Sequence, residues 1–542
     1  MKFFKIINKR MFLLTSVILT VSVFMVSCLK NDFDFSKFTK PTWEPNFSLP
    51  LVHSKLSLSK ILGVTGGDSL LNEDANHFLT LIYRDNIFSQ YAYDAFKIID
   101  QNYTKNYPFS LPPGMNVGDS VSGSFTDNII FNDTNNAVLD TMYLKSGNLN
   151  FKMNSTINQN AKIEIVMPSV TKNGIPLGTV INYIYTGAPL NINFNLPLSG
   201  YKIVFHQAGG IFNQLAINYK VTLYNIGSPD LSPYNFNFDL GFQSLKYSKI
   251  FGYLNQKSFS FPIDTLSIDI FKNSWFGHFL LEDPKFTVKV KNSYGFPLNI
   301  NFDLLDAYNP KTPALINVWG VPNPFSINTP TSVGQVTETS FILNKNNSNI
   351  KDAINITPHY FAYHFTGQAN PSGIYQSNFI LDTSSFKVDV EMELPLFGRA
   401  WDFVIQDTVD FKFDKVDELV YANFKINILN GFPLDAKMQI VITDSLYVPL
   451  DSLFVGEQYV IRSGSVGPAP DYRVISPNNV YTEVNLSQTR LTKLSNARKM
   501  LIRSKLNTTN TGLDIMKIYS DYLLDVRLAV QAQLKVDLNK KY

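Results

Sequence analysis

The sequence predicts an all-β chain built of several β-sandwich-like modules with few short helices. Apolar and polar residues alternate with period 2 in run after run, Asn-Gly-apolar-Pro-Leu turns separate some of these runs, and helical periodicity is scarce. A length of 542 residues exceeds one ordinary domain. Aromatics make up 14% of the chain and charged residues only 17%, the second low for a soluble protein. The composition points to a surface that something else partly covers.

Taken in chain order, Leu56 to Leu62 has a serine start and Gly63 as a stop, which suits a short helix. A strand is expected from His77 to Arg84. Ile163 to Met167 is strand-like and leads into "NGIPLG" at 173–178. Phe286, Val288 and Val290 alternate with Thr287, Lys289 and Lys291. "NSYGFPL" at 292–298 follows, and then Leu298, Ile300, Phe302 and Leu304 alternate again. The arrangement returns with Phe424, Ile426 and Ile428, "NGFPLD", and Leu434, Ala436, Met438, Ile440 and Ile442. The turn residues are Gly174 and Pro176, Gly295 and Pro297, and Gly431 and Pro433. Glycine is expected to supply a positive φ and proline to keep the next step extended. The unit has two close copies and one looser one, 121 residues apart from Gly174 to Gly295 and 136 from Gly295 to Gly431. "HYFAYHF" at 359–365 is aromatic on both strand faces, which predicts burial on both. Leu491 to Lys499 suits a second helix, and Tyr522 to Leu538 alternates as one long strand. Pro-rich loops are expected at 309–335, long enough to be a functional insertion, and at 463–479. The expected modules are 46–140, 141–285, 286–410 and 411–542, after a leader over 1–27 and a tether over 28–45. The repeated strand pairs are similar to those of small late-embryogenesis-type β-sandwiches.

The first residues give an address. Lys2, Lys5, Lys9 and Arg10 precede the apolar stretch Met11–Val26, the layout of a secretory signal. That stretch is about 24 Å long as a helix, short of a hydrocarbon core of about 30 Å. Cys28 follows it and is the chain's lone cysteine, so it has no disulfide partner within the chain. Met25-Val26-Ser27-Cys28 resembles a bacterial lipobox. That resemblance implies acylation of Cys28 and cleavage before it, with anchoring in the outer membrane through the acyl chains. Lys30, Asp32 and Asp34 resemble the surface-export signal of Bacteroidota lipoproteins, with Asn31 and Phe33 interrupting the acidic run. "FSLPLVHSKLSLSKIL" at 47–62, "HFLTLIYRDNIFS" at 77–89, "IFGYLNQKSFSFPIDTLSIDIF" at 250–271 and the "NSYGFPL" unit are similar to large Bacteroidota surface lipoproteins. Some members of that class are subunits of outer-membrane machines. Removing the leader removes four basic residues and no acidic one, leaving 43 basic against 44 acidic residues and a net charge of −1. That balance offers no nucleic-acid footprint.

No stretch carries a strong catalytic signature. "GDSL" at 67–70 matches the nucleophile block of GDSL hydrolases, with Ser69 as nucleophile, and Asp74-Ala-Asn-His77 matches their Asp-x-x-His block. The histidine block stands only four residues after the serine block instead of near the domain's end, and no alternating α/β pattern surrounds it. A polar turn over 72–76 followed by a strand starting at His77 explains both. His359 and His364 are five apart and fall on opposite faces of a strand, poorly placed to share a metal. "FNDTNNAVLD" at 131–140 has calcium-like oxygens without the glycine and glutamate positions of an EF-hand loop. Trp43, Trp275, Trp319 and Trp401 are too scattered to define a glycan platform. No cofactor, metal or catalytic residue is expected.

The expected function is a non-catalytic, surface-exposed outer-membrane lipoprotein. It would act as an accessory or scaffold subunit bound to an integral outer-membrane protein or to other lipoproteins. The alternative is a free-standing glycan-binding surface lipoprotein. Cys28→Ala should leave an unacylated precursor that is lost from the membrane fraction after a salt wash. Normal partition of that variant, with acyl label retained, would sink the lipoprotein reading.

Overall fold

The computed structural model describes residues 43–57, 71–133, 136–228, 232–268, 276–410 and 418–535. Almost all regular structure is antiparallel strand, arranged as one continuous, nearly closed ten-stranded sheet around its own core (sandwich one) and two sandwiches of two sheets each (sandwiches two and three). The N-terminal strands are shared among them. Strand β1 (Asn46–Leu56) pairs with the last described strand, and β2 (Leu71–Glu73) and β3 (Leu79–Tyr91) join the second sandwich. β4 (Gln101–Phe109) joins the first. Residues 46–140 therefore do not fold as a module of their own. The helix expected from Leu56 is not seen where it can be assessed, because Leu56 ends β1 and 58–70 lie outside the described residues.

Sandwich one contains β4, β5 (Ser120–Ile130), β6 (Val138–Ser155), β7 (Asn160–Lys172) and β8 (Ile175–Tyr183). It continues with β9 (Leu190–Pro197), β10 (Lys202–Val204), β11 (Gln214–Tyr224) and β12 (Tyr234–Tyr253). The alternation puts Leu149, Phe151 and Met153 of β6, Ile163, Ile165 and Met167 of β7, and Phe236, Phe238 and Leu240 of β12 into one core. Tyr219 meets Phe238 at 4.4 Å between ring centroids. β10 pairs with both β6 and β7 and so folds the sheet back on itself.

Sandwiches two and three are copies of one topology. β13 (Lys257–Ser260) and β14 (Asp264–Ser267) belong to the second, and β15 (Phe276–Leu281) to the third. The repeated unit of sandwich two runs through β16 (Lys285–Asn292), β17 (Leu298–Asn309), β18 (Ala314–Asn317), β19 (Phe325–Ile327) and β20 (Thr337–Leu343). After the single-turn helix Ala92–Ala95 (α1), the helix α2 (Ile350–Asn355) follows β20, then β21 (Tyr360–Ala369) and β23 (Ser385–Pro395), while β22 (Asn378–Leu381), between these two in the chain, pairs with β12 in sandwich one. In sandwich three, β24 (Phe397–Asp410) precedes the corresponding series. That series is β25 (Leu419–Asn430), β26 (Leu434–Thr443), β27 (Pro449–Ser452), β28 (Gln458–Ile461), a β29–β30 hairpin (Ser465–Val466, Val474–Ser476) and β31 (Asn478–Ser487). Helix α3 (Gln488–Leu494), β32 (Lys499–Thr508), the short α4 (Thr509–Gly512), β33 (Met516–Lys517) and β34 (Leu524–Leu534) complete it. The pairings of the central strands match. β16 lies between β20 and β23 as β25 lies between β31 and β34, and β17 pairs with β18, β19 and β21 as β26 pairs with β27, β28 and β32.

The repeated motif marks the corner where the chain crosses between layers. β16 and β17 lie in different sheets, and so do β25 and β26. The equivalent residues are Asn292 and Asn430, each the last of its strand and each buried. Tyr294 donates its backbone N–H to Asn292 Oδ1 at 2.8 Å, and Asn292 Nδ2 donates to the carbonyls of Tyr294 and Asn328 at 3.3 and 3.1 Å. Phe432 N–H donates to Asn430 Oδ1 at 2.9 Å, and Asn430 Nδ2 donates to the carbonyls of Phe432, Leu434 and Arg462 at 3.0, 2.9 and 2.8 Å. Asn328 and Arg462 each directly follow an equivalent strand, β19 and β28. Gly295 and Gly431 do not have positive φ, contrary to the expectation. They are small because another segment runs against them. A Cβ on Gly295 would lie 2.4 Å from the Phe379 ring, and one on Gly431 would lie 3.0 Å from the Leu523 carbonyl. The third copy is a different object. Asn173 (φ 53°) and Gly174 (φ 80°) close a two-residue hairpin between β7 and β8, with Pro176 in β8.

Other expectations change in detail. The second helix is Gln488–Leu494, and Lys499 starts a strand. The last strand is Leu524–Leu534, with 536–542 outside the described residues. The 309–335 stretch contains β18 and β19 and is part of the repeat, not an insertion. β21 buries Phe361, Tyr363 and Phe365 on one face only. Its other face is half-buried, with Tyr360 against Tyr308 and His364 Nδ1 3.2 Å from Asp303.

Asn292→Ala and Asn430→Ala should each lower stability by about 3 kcal/mol, because each strands several buried backbone groups. Gly174→Ala, strained only by its φ with nothing within 4 Å of the added carbon, should cost about 1–2 kcal/mol. Urea midpoints of the three variants check the order.

Candidate functional site

Cys28, Lys30, Asp32, Asp34, Ser69 and Trp275 lie outside the described residues. Of the hydrolase match only the histidine block can be placed. Asn72 and Glu73 belong to β2, not to a turn. The turn is Asp74–His77, held by Asp74 Oδ1, which accepts the N–H groups of Asn76 and Phe78 at 2.8 Å. His77 is a turn residue with φ 68°, not the first residue of a strand. Its Nδ1 contacts Glu73 and lies 3.5 Å from Ser520 Oγ. The hydrogen bond from His77 holds the Glu73 carboxyl below its ordinary pKa. A serine–histidine–carboxylate relay needs the hydroxyl and the carboxylate on opposite ring nitrogens. Here both converge on Nδ1, at an exposed turn without the dry surroundings that tune a base.

His364 lies in β21, and His359 directly precedes that strand. Asp133 Oδ2 accepts the Ala137 N–H at 3.1 Å. Among the described residues no three His, Cys, Asp or Glu side chains converge as metal ligands. Trp43 and Trp319 are exposed, and Trp401 stacks on His278 at 5.0 Å.

Two surfaces could act on a partner. The first is a cavity of about 510 Å³ where sandwiches one and two meet. Tyr93, Lys97, Lys145, Lys246, Tyr247 and Asp382 are among its lining residues. Lys145 Nζ pairs with Asp382 at 2.6 Å, and Tyr247 donates to the Ala92 carbonyl at 3.0 Å. Burial pushes the Tyr247 hydroxyl well above its ordinary pKa, so it is a donor at any physiological pH. Tyr93 is 55% exposed at the cavity and stacks on Tyr91 at 5.7 Å with 19° between the rings. These residues come from segments nearly 290 positions apart, and no local sequence signal joins them.

The second surface is the edge of β1, which no described strand pairs. Phe47 and Leu49 are in register with Ala532 and Val530 and share their core-facing side of the sheet. Yet Phe47 is exposed and Leu49 is 55% exposed. Leu51 is the extra residue of a bulge after Pro50 and is exposed too. Pro50 and the bulge blunt the backbone edge, so the uncovered surface is mainly side chain.

If the hydrolase match were functional, a fluorophosphonate probe would label Ser69 or Ser520. No labelling is expected; adduct formation that disappears in Ser69→Ala or Ser520→Ala would refute the non-catalytic reading.

No known family matches the sequence, and no curated protein matches it. Among solved structures, the chain is similar to a "putative secreted protein" from Parabacteroides distasonis, at 15% identity and a TM-score of 0.30. That match covers 53% of this chain and 89% of the other. A match to the VP2 subviral particle of infectious bursal disease virus has 8% identity and a TM-score of 0.16, covering 80% of this chain and 72% of that one.

Proposed function

We propose that the chain is a lipid-anchored, non-catalytic subunit of a larger protein complex at a bacterial outer membrane, facing the cell exterior. The open side of β1 docks on an integral outer-membrane protein or another lipoprotein. One observation carries the docking: the core face of the β1 sheet runs out to its edge strand, where Phe47 and Leu49 are exposed among the described residues. An apolar sheet face left open is a contact surface or an aggregation hazard. Full burial of a large apolar side chain is worth about 1.5–3 kcal/mol, so a few anchors of this kind make a specific site. The lipidated Cys28 and the Lys30, Asp32 and Asp34 signal support the address.

The junction cavity favours a second reading. A stacked, exposed Tyr91–Tyr93 pair beside lysines and a buried tyrosine hydroxyl suits a saccharide, whose apolar ring faces stack on aromatic rings while its hydroxyls and acidic groups take polar partners.

Gentle detergent extraction should keep the wild-type chain in a high-mass assembly on a native gel, and Leu49→Asp should release it. A chain that runs alone in both forms, with retention on polysaccharide gels that Tyr93→Ala abolishes, would replace the first reading with the second.

A further inference from the structure

The crossover fixes which loops share an end of sandwich three. β25 leaves at Asn430 and β26 begins at Leu434, so Leu419 and Thr443 lie at the opposite end. The registers bring other termini there. Leu534 pairs with Leu419, Asn46 with Gln533, and Lys499 with both Thr443 and Asp410. Helix α3 closes the core at this end with Leu491 and Leu494 fully buried. The chain therefore enters sandwich three at this end, where Trp43 is 58% exposed.

The turn between β26 and β27 projects from the same end. Leu446, Tyr447 and Val448 are consecutive and are 79, 52 and 52% exposed. They are held out by a built turn. Asp444 Oδ1 accepts the N–H groups of Leu446 and Val448 at 2.8 and 2.9 Å, and Asp444 N–H donates to the Val448 carbonyl at 3.1 Å. The other repeat supplies an internal comparison. Its equivalent turn, between β17 and β18, reads Pro310-Lys311-Thr312-Pro313 and has no large apolar side chain. The shared topology does not require an apolar tip, so the tip belongs to what sandwich three faces.

We infer that this end of sandwich three seats on the lipid surface, with Leu446, Tyr447 and Val448 entering the headgroup–acyl boundary and Trp43 lying beside the tether. The inference rests on the lipid-anchored reading of Cys28. Trp43 follows Cys28 by 15 residues, a reach of at most about 50 Å. That leash starts from this end of the protein, so this end is the one it tethers nearest to the acyl chains. Trp and Tyr favour the headgroup layer because one part of the ring is apolar and another takes a hydrogen bond, and Leu and Val favour the layer beneath. The occupant is thus a bilayer surface and not a second protein, which the β1 side takes.

Acylation consumes the lone cysteine, so an introduced one is a unique labelling site. The full acylated chain carrying Val448→Cys or Thr312→Cys is labelled with a fluorophore in phosphatidylcholine–phosphatidylglycerol vesicles. Doxyl-lipid should quench the label at 448 several-fold more than the label at 312, and aqueous iodide should do the reverse. Adding Leu446→Ser and Tyr447→Ser should bring lipid quenching at 448 down toward the level at 312. Iodide access at 448 equal to that at 312 overturns the seat, and so does shielding from both quenchers, which means a protein covers the turn. Intact mass of the same sample separates the two failures. Acyl chains present with an iodide-accessible 448 defeat the seat alone, and acyl chains absent defeat the anchor and the seat with it.

Discussion

Two buried carboxamides fix the architecture of the second and third sandwiches. At each corner the chain must leave one sheet, cross the core edge and enter another within a few residues. The backbone groups freed by that change of direction have no strand to pair with and little water near them. Asn292 and Asn430 satisfy these groups, accepting from the residue two positions on and donating to the carbonyls of the turn and of a third segment. The third contact ties the corner to the strand that closes the opposite sheet. The whole repeat is organised around that tie, since β16 and β25 bond to both neighbours in their sheets and end at it.

The strands were largely legible in the sequence, while their grouping was not. Phe286, Val288 and Val290 point to the core as their alternation demands. Farther along, the pattern misleads. The register shifts at Asp303, so burial passes from Leu298 and Ile300 to Leu305 and Ala307 instead of reaching Leu304. A single extra residue reverses the faces of everything after it, and nothing local announces it. The glycines drew attention to the repeated turns, but the residues that matter there are the asparagines. Two additional residues in the first corner, Asn-Ser-Tyr-Gly-Phe-Pro-Leu against Asn-Gly-Phe-Pro-Leu, displace the glycines from equivalent positions. The match of Ser293 to Gly431 shows in their N–H groups, which donate to the carbonyls of Ser385 and Leu523.

The candidate surfaces were less legible still. Phe47 and Leu49 carry no local sign of their exposure, and only the sheet order shows that β1 is an edge among the described residues. The junction cavity takes Tyr93, Lys145, Lys246 and Asp382 from separate elements, and folding alone assembles them. Modules cut at sequence boundaries also miss the way β1, β3 and β4 are dealt to sandwiches three, two and one. That sharing joins sandwiches one and two through a continuous apolar core.

The pairing of β1 with β34 also sets how the protein resists force. The chain enters β1 at Asn46, and ten residue pairs run from Asn46–Gln533 to Leu56–Leu524. A load applied through the preceding segment pulls β1 along its own length, out of the end at which it enters. In that geometry the hydrogen bonds of the ladder are strained together in shear and must fail together. Pulling from the Leu56 side, across the sheet, would instead open them one at a time like a zipper. A load on the segment before Asn46 thus meets β1 in its mechanically stronger direction.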